Sequence, residues 1–162
     1  MKAINRILAP TDLTEVGRVG VDYALDLACA VHAEVIVYHV APFEEGLPDP
    51  LGVGEVSSAY VPAQELEEVL EAHRAMLERF VHNHFPPARL EGLKVSQDVD
   101  IGEPEEGILE KAREAEVDLI VMATHGRTGL EHVLLGSVTE HIVRKAECPV
   151  LSIRHPIATD TH

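Results

Sequence analysis

Leu119-Ile120-Val121-Met122-Ala123 is an unbroken apolar run between Asp118 and Thr124. A strand with one wet face alternates polar and apolar residues, so an unbroken run calls for cover on both faces, as in the middle of a parallel sheet. Parallel neighbours need long crossovers, and the chain supplies them: short β-rich runs alternate with stretches of helical period. Five strands and four helices are expected. The strands are 6–9, stopped by Pro10, then 34–40, 94–101, 119–123 and 150–153.

The first helix starts at a Thr14 cap, with Val16, Gly20, Tyr23, Ala24, Leu27, Ala28 and Val31 as its inward stripe. Residues 41–62 carry four prolines and three glycines with little periodicity and read as a long loop, a kind of segment that is usually functional. The second helix, 63–85, turns Leu66, Val69, Leu70, His73, Leu77, Phe80, Val81 and His84 inward and ends at Pro86-Pro87. Its other face, with Glu65, Glu67, Glu68, Glu71 and Glu78, reads as solvated. A third helix opens at Gly102 and Pro104 and runs through Ala115, burying Ile108, Leu109 and Ala112, and a fourth spans 137–146. One domain over 1–155 and a frayed tail over 156–162 follow.

The chain of 162 residues has a formal charge of −15. That field opposes a nucleic-acid backbone or an anionic membrane as partner, and any anionic ligand needs a local device. With three Phe, three Tyr and no Trp, the core must be aliphatic. Cys29 and Cys148 are too few for a disulfide framework and read as buried reduced thiols, which fits a cytoplasmic setting. The start has no apolar signal region, and no stretch approaches the roughly 20 apolar residues of a membrane span.

In an open parallel sheet, ligands sit beyond the carboxyl ends of the strands, at the switch point where connections leave to opposite faces. Pro10-Thr11-Asp12 follows the first strand; Thr124-His125-Gly126-Arg127-Thr128-Gly129 follows the fourth. Neither is a dinucleotide fingerprint, and without a Gly-Lys pair there is no lysine phosphate loop. Gly126 and, after nine intervening residues, Gly136-Ser137 at a helix start can meet an anion through backbone amides. Two readings compete at Ser137, because Glu140 three residues on also makes a capping box. Asp12 either organises a turn or holds a ribose hydroxyl or a magnesium ion. His125 and Arg127 reach phosphate or face water. There is no His-Glu-x-x-His, Cys-x-x-Cys or Gly-x-Ser-x-Gly motif, and His82 and His84, two apart, lie on different helix faces.

The chain resembles the universal stress proteins, from Arg6-Ile7-Leu8-Ala9-Pro10-Thr11-Asp12 through Cys148-Pro149-Val150-Leu151-Ser152-Ile153. The most specific part runs from Ala123-Thr124-His125-Gly126-Arg127-Thr128-Gly129-Leu130 to Leu134-Leu135-Gly136-Ser137-Val138-Thr139-Glu140. ATP-binding members show Gly, two residues, Gly, nine residues, then Gly with Ser or Thr. Gly126, Gly136 and Ser137 match; Ala123 stands where the first glycine would be. The resemblance implies a Rossmann-like α/β fold with a five-stranded parallel sheet of order 3-2-1-4-5. It implies ATP, ADP or AMP, with magnesium, held by Pro10, Thr11 and Asp12, by Val40 at the adenine, and by Ala123, Thr124, His125, Gly126, Arg127, Gly129, Gly136, Ser137, Val138 and Thr139. It also implies a homodimer through the fifth strand, and a nucleotide-dependent sensor or regulator in stress response without fast catalysis. A nucleotide-free dimer that recognises a partner protein, and a slow nucleotide hydrolase, are the alternatives.

Overall fold

The structure, a computed structural model, describes residues 3–42, 63–124 and 135–154. The elements are β1 (Arg6–Pro10), α1 (Glu15–Val31), β2 (Glu34–Ala41), α2 (Ala63–His84), α3 (Pro87–Leu90), β3 (Val95–Ile101), α4 (Pro104–Glu114), β4 (Leu119–Ala123), α5 (Ser137–Lys145) and β5 (Val150–Ile153). All the strand pairs are parallel, and the sheet order is β3-β2-β1-β4-β5, as expected. The 41–62 loop, apart from Ala41 and Pro42, and the 156–162 tail lie outside the described residues.

Strand alternation sends side chains into two separate cores. Ile7, Val35, Val37 and Val121 pack with α1 and α2; Leu8, Tyr38, Val40, Ile120 and Met122 pack with α4 and α5. All five residues of β4 are buried, which is what its unbroken apolar run required. The inward stripe expected of α2 is the one observed, with Leu77, Phe80 and Val81 buried and the glutamate face exposed. No helix among the described residues is long and apolar enough to cross a membrane.

Several details differ from expectation. In α1 the buried arc is Gly17, Gly20, Val21, Ala24, Leu25 and Ala28, while Tyr23 is 46% and Val31 39% exposed. The helix is rotated because its backbone packs directly on β4: a Cβ on Gly20 would stand 2.7 Å from the Ala123 nitrogen. The same rotation leaves Cys29 exposed, and Cys148 is half-buried, so neither is the buried thiol expected. Pro86-Pro87 ends α2 but also begins a one-turn helix, α3, with Pro87 at its first position.

Pro10 continues β1 for a physical reason. The β1–β4 ladder has its last pair at Leu8↔Ile120, whereas Pro10 is still paired with Tyr38 of β2. Thr11 donates its N–H to the Tyr38 carbonyl at 2.8 Å, so the nitrogen of Pro10, one residue back, points to the other side, where β4 has already parted. No ladder donor is lost, and a crevice opens between β1 and β4.

The far wall of that crevice is α4. Its anchor is Tyr38, whose hydroxyl donates to Asp100 Oδ2 at 2.8 Å and lies 3.2 Å from the Gly107 carbonyl. Lys111 Nζ reaches Asp98 at 2.9 Å and Asp100 at 3.2 Å. Gly107 permits the close approach, since a Cβ there would sit 3.0 Å from Val40 Cγ2. Burial, and then the hydrogen bond to Asp100, push the Tyr38 phenol well above its ordinary value of 10.0. The unfolded chain ionises this tyrosine first, so stability is intact below about pH 10 and falls as the pH rises beyond it. Tyr38→Phe is expected to cost about 1 kcal/mol at neutral pH and to flatten part of the alkaline fall, measured by urea unfolding at both pH values.

Candidate nucleotide site

Beyond β1 the chain makes a tight, strained turn. Leu13 adopts a left-handed conformation with φ 64°, unusual for a residue with a bulky side chain. Side chains hold it there. Thr11 Oγ1 accepts from the Leu13 N–H at 3.1 Å. Asp12 Oδ1 accepts from the Thr14 N–H at 3.1 Å and the Thr14 hydroxyl at 2.5 Å. Thr14 Oγ1 in turn accepts from the Gly17 N–H at 3.1 Å, capping α1 as expected.

Asp12 thus has two oxygens in different circumstances. Oδ1 is committed to the turn and the helix cap; Oδ2 is buried without a hydrogen-bond partner. A buried carboxylate oxygen left alone is costly, and such atoms concentrate where a ligand completes the set. The turn-organising role expected of Asp12 is carried by Oδ1, while Oδ2 is left to face the cavity wall.

On the β4 side, the Gly136 N–H donates to the Thr124 carbonyl at 2.6 Å, and the Thr139 hydroxyl donates to the Ala123 carbonyl at 3.0 Å. These bonds dock the start of α5 against the end of β4. The N-cap of α5 is Gly136, with no side-chain cap, and Ser137 is the first helical residue, exposed. The capping-box reading fails because the chain enters the helix one residue earlier than that motif needs. The Ser137 hydroxyl stands at a helix N-terminus, where free amides and the helix dipole favour an anion.

Between these two ends lies a cavity of about 310 Å³, at the lower end of small-ligand sites. Of the sequence-expected residues, Pro10, Thr11, Asp12, Val40, Ala123, Gly136, Ser137, Val138 and Thr139 line it. Thr124 is buried beside it, its N–H on the Ile153 carbonyl at 2.9 Å. His125, Gly126, Arg127 and Gly129 lie outside the described residues. Ala123 follows Leu119 and Val121 on β4 and so shares their face, toward α1, where Gly20 gives it room.

Sequence reasoning missed Gly17, Tyr38, His39, Pro42, Pro104, Ile108 and Met122, which also line the cavity. Ile108, Met122 and Val40 form an apolar wall suited to a flat ring. Two glycines three apart in one helix were the available signal for Gly17, since each costs about 1 kcal/mol against alanine there and needs a reason. Among the described residues, no group of three or more His, Cys, Asp or Glu is placed to hold a metal ion.

Residues 3–154 match the family model described as "Universal stress protein family". The chain belongs to that family. It is 36% identical over 154 residues to universal stress protein MJ0531 of Methanocaldococcus jannaschii, an alignment covering 93% of this chain and 82% of that one. The solved structure of MJ0577, a universal stress protein of the same organism, superposes with a TM-score of 0.67 at 26% identity, covering 97% of this chain and 100% of that one. A universal stress protein solved in complex with cAMP superposes with a TM-score of 0.58 at 19% identity, covering 96% and 100%. This universal stress protein therefore has the Rossmann-like fold of its relatives.

Gly17→Ala separates two opposing effects in this site. Alanine is the better helix former by about 1 kcal/mol, but its Cβ would stand 2.5 Å from Asp12 Oδ1 and 2.8 Å from Thr11 Oγ1. Overpacking of this kind costs about 1–3 kcal/mol, so a net loss of stability is expected in urea unfolding. A gain would contradict the close approach of α1 to the turn.

Proposed function

We propose that this universal stress protein binds an adenine nucleotide, with Mg-ATP as its leading ligand, in the crevice between β1 and β4. The observation that carries this reading is the buried, unpartnered Asp12 Oδ2 at the cavity wall. A ribose hydroxyl donates a hydrogen bond of the kind that oxygen lacks, and a magnesium ion satisfies it equally well. Val40, Ile108 and Met122 offer the base an apolar wall, and the first turn of α5 with Ser137 meets the phosphates. A universal stress protein solved in complex with cAMP supports an adenine-containing ligand.

Magnesium suits the residues present. Magnesium commonly takes one or two carboxylates and the substrate's own phosphates rather than a full protein cage, and Asp12 supplies such a carboxylate. When bound, the ion neutralises phosphate charge against the protein's −15. The reading includes a role as a cytoplasmic nucleotide-dependent regulator in stress response, without rapid turnover. Pairing through β5 into a homodimer belongs to the same reading. Among the described residues no strand pairs with the outer edge of β5, all four of its residues are half-buried, and the neighbouring α1 carries the half-buried Leu27 and the exposed Tyr23.

Calorimetric titration with Mg-ATP tests the site. Asp12→Ala is expected to weaken binding by at least tenfold, as removal of a buried charged hydrogen-bonding partner does. Ser137→Ala should cost less, roughly threefold to tenfold, because backbone amides remain. Chelating the magnesium should weaken the unaltered protein more than Ser137→Ala does. Unchanged affinity in Asp12→Ala would remove the reading.

A further inference from the structure

His39 is 3% exposed, at the carboxyl end of β2, and its ring is turned to the α1–α2 side of the sheet. Its Nδ1 lies 2.9 Å from the Thr11 carbonyl oxygen. A carbonyl can only accept, so Nδ1 carries a proton and donates it. Nε2 lies 3.0 Å from Nδ1 of His73 on α2. The rings are nearly coplanar, 17° apart with centroids at 5.2 Å, the edge-to-edge arrangement that an in-plane N–H···N bond needs. With His39 neutral, its Nε2 is the acceptor and His73 Nδ1–H the donor. His73 thus selects the tautomer in which His39 can hold Thr11.

The Thr11 carbonyl belongs to the peptide bond that leads into Asp12. Fixing its oxygen fixes that planar unit, and with it the direction in which Asp12 leaves the backbone. Thr11 is otherwise held by its N–H on the Tyr38 carbonyl at 2.8 Å and its hydroxyl at Leu13. His39 supplies a third restraint, on the carbonyl of the peptide bond that leads into Asp12.

The geometry points to His39 as a positioning residue for the nucleotide site, with His73 setting its tautomer and so tying α2 to ligand affinity. The inference rests on the proposed nucleotide reading and extends it to a residue outside the cavity, His73. It differs from a packing role in its chemistry: what matters is an N–H at the Nδ1 position.

The test uses the full chain and Mg-ATP. An asparagine places an N–H close to where Nδ1 sits, whereas a glutamine mimics Nε2. His39→Leu is expected to weaken Mg-ATP binding roughly tenfold to a hundredfold. His39→Asn should recover most of that loss and His39→Gln little of it. Long-range nitrogen–proton NMR on the ligand-free protein should show His39 as the Nδ1–H tautomer. His73→Phe should shift that tautomer and weaken binding several-fold. Far-ultraviolet circular dichroism monitors the fold of each variant, and the wild-type tautomer needs no variant at all. An Nε2–H tautomer, wild-type affinity in folded His39→Leu, or equal rescue by glutamine would overturn the inference. Failure of the unaltered protein to bind Mg-ATP would remove the nucleotide reading instead, while the tautomer would still decide whether His73 sets His39.

Discussion

After the Leu8↔Ile120 pair, β1 and β4 stop sharing a ladder, because α1 leaves β1 on one face of the sheet while the connection from β4 leads to α5 on the other. The parting leaves strand ends whose polar groups must find partners elsewhere. On β1 they find them in side chains: Thr11, Asp12 and Thr14 bond the turn and the first turn of α1, and the His39 ring takes the Thr11 carbonyl. On β4 they find them in the start of α5, through Gly136 and Thr139. The crevice is what remains between these two closures. Gly17 and Gly20 let α1 sit close enough for the first of them to form.

The same geometry would let an acidic chain take an anion in the proposed site. The surplus of carboxylates is spread over exposed surface, with Glu65, Glu67, Glu68, Glu71 and Glu78 on the outer face of α2. Screening limits such exposed charges to about 8–10 Å at physiological salt. Among the described residues, the crevice presents the N-terminus of α5 and the Asp12 carboxylate. In the proposed site the first would meet phosphate and the second a hydroxyl or a cation, so that affinity would depend on short-range complementarity rather than on net charge.

Much of this was legible in the sequence, for reasons that differ between elements. The unbroken run at 119–123 and the short apolar run at 150–153 gave strands with the observed bounds, and the amphipathic stripe of α2 was unambiguous because glutamates fill its other side. In α1, apolar residues occur almost all round, from Val16 to Val31, so periodicity could not choose an arc; backbone contacts at two glycines chose it. Asp12 and Ser137 stood out by position, but how their oxygens are used depends on which neighbour reaches them first. The helix starts at Ser137 as expected, with Gly136 rather than Ser137 as its N-cap. His39 gave no sequence signal, since its partners Thr11 and His73 are 28 and 34 residues away.

The most direct measurement is of what the protein carries and takes up. With no Trp and three Tyr, the chain absorbs weakly, so an adenine chromophore stands out in its ultraviolet spectrum. Protein purified without added nucleotide, then heat-denatured, should release an adenine nucleotide identifiable by mass spectrometry, and the stripped protein should bind Mg-ATP stoichiometrically in a calorimeter. A clean spectrum together with a flat titration would contradict a nucleotide site between β1 and β4.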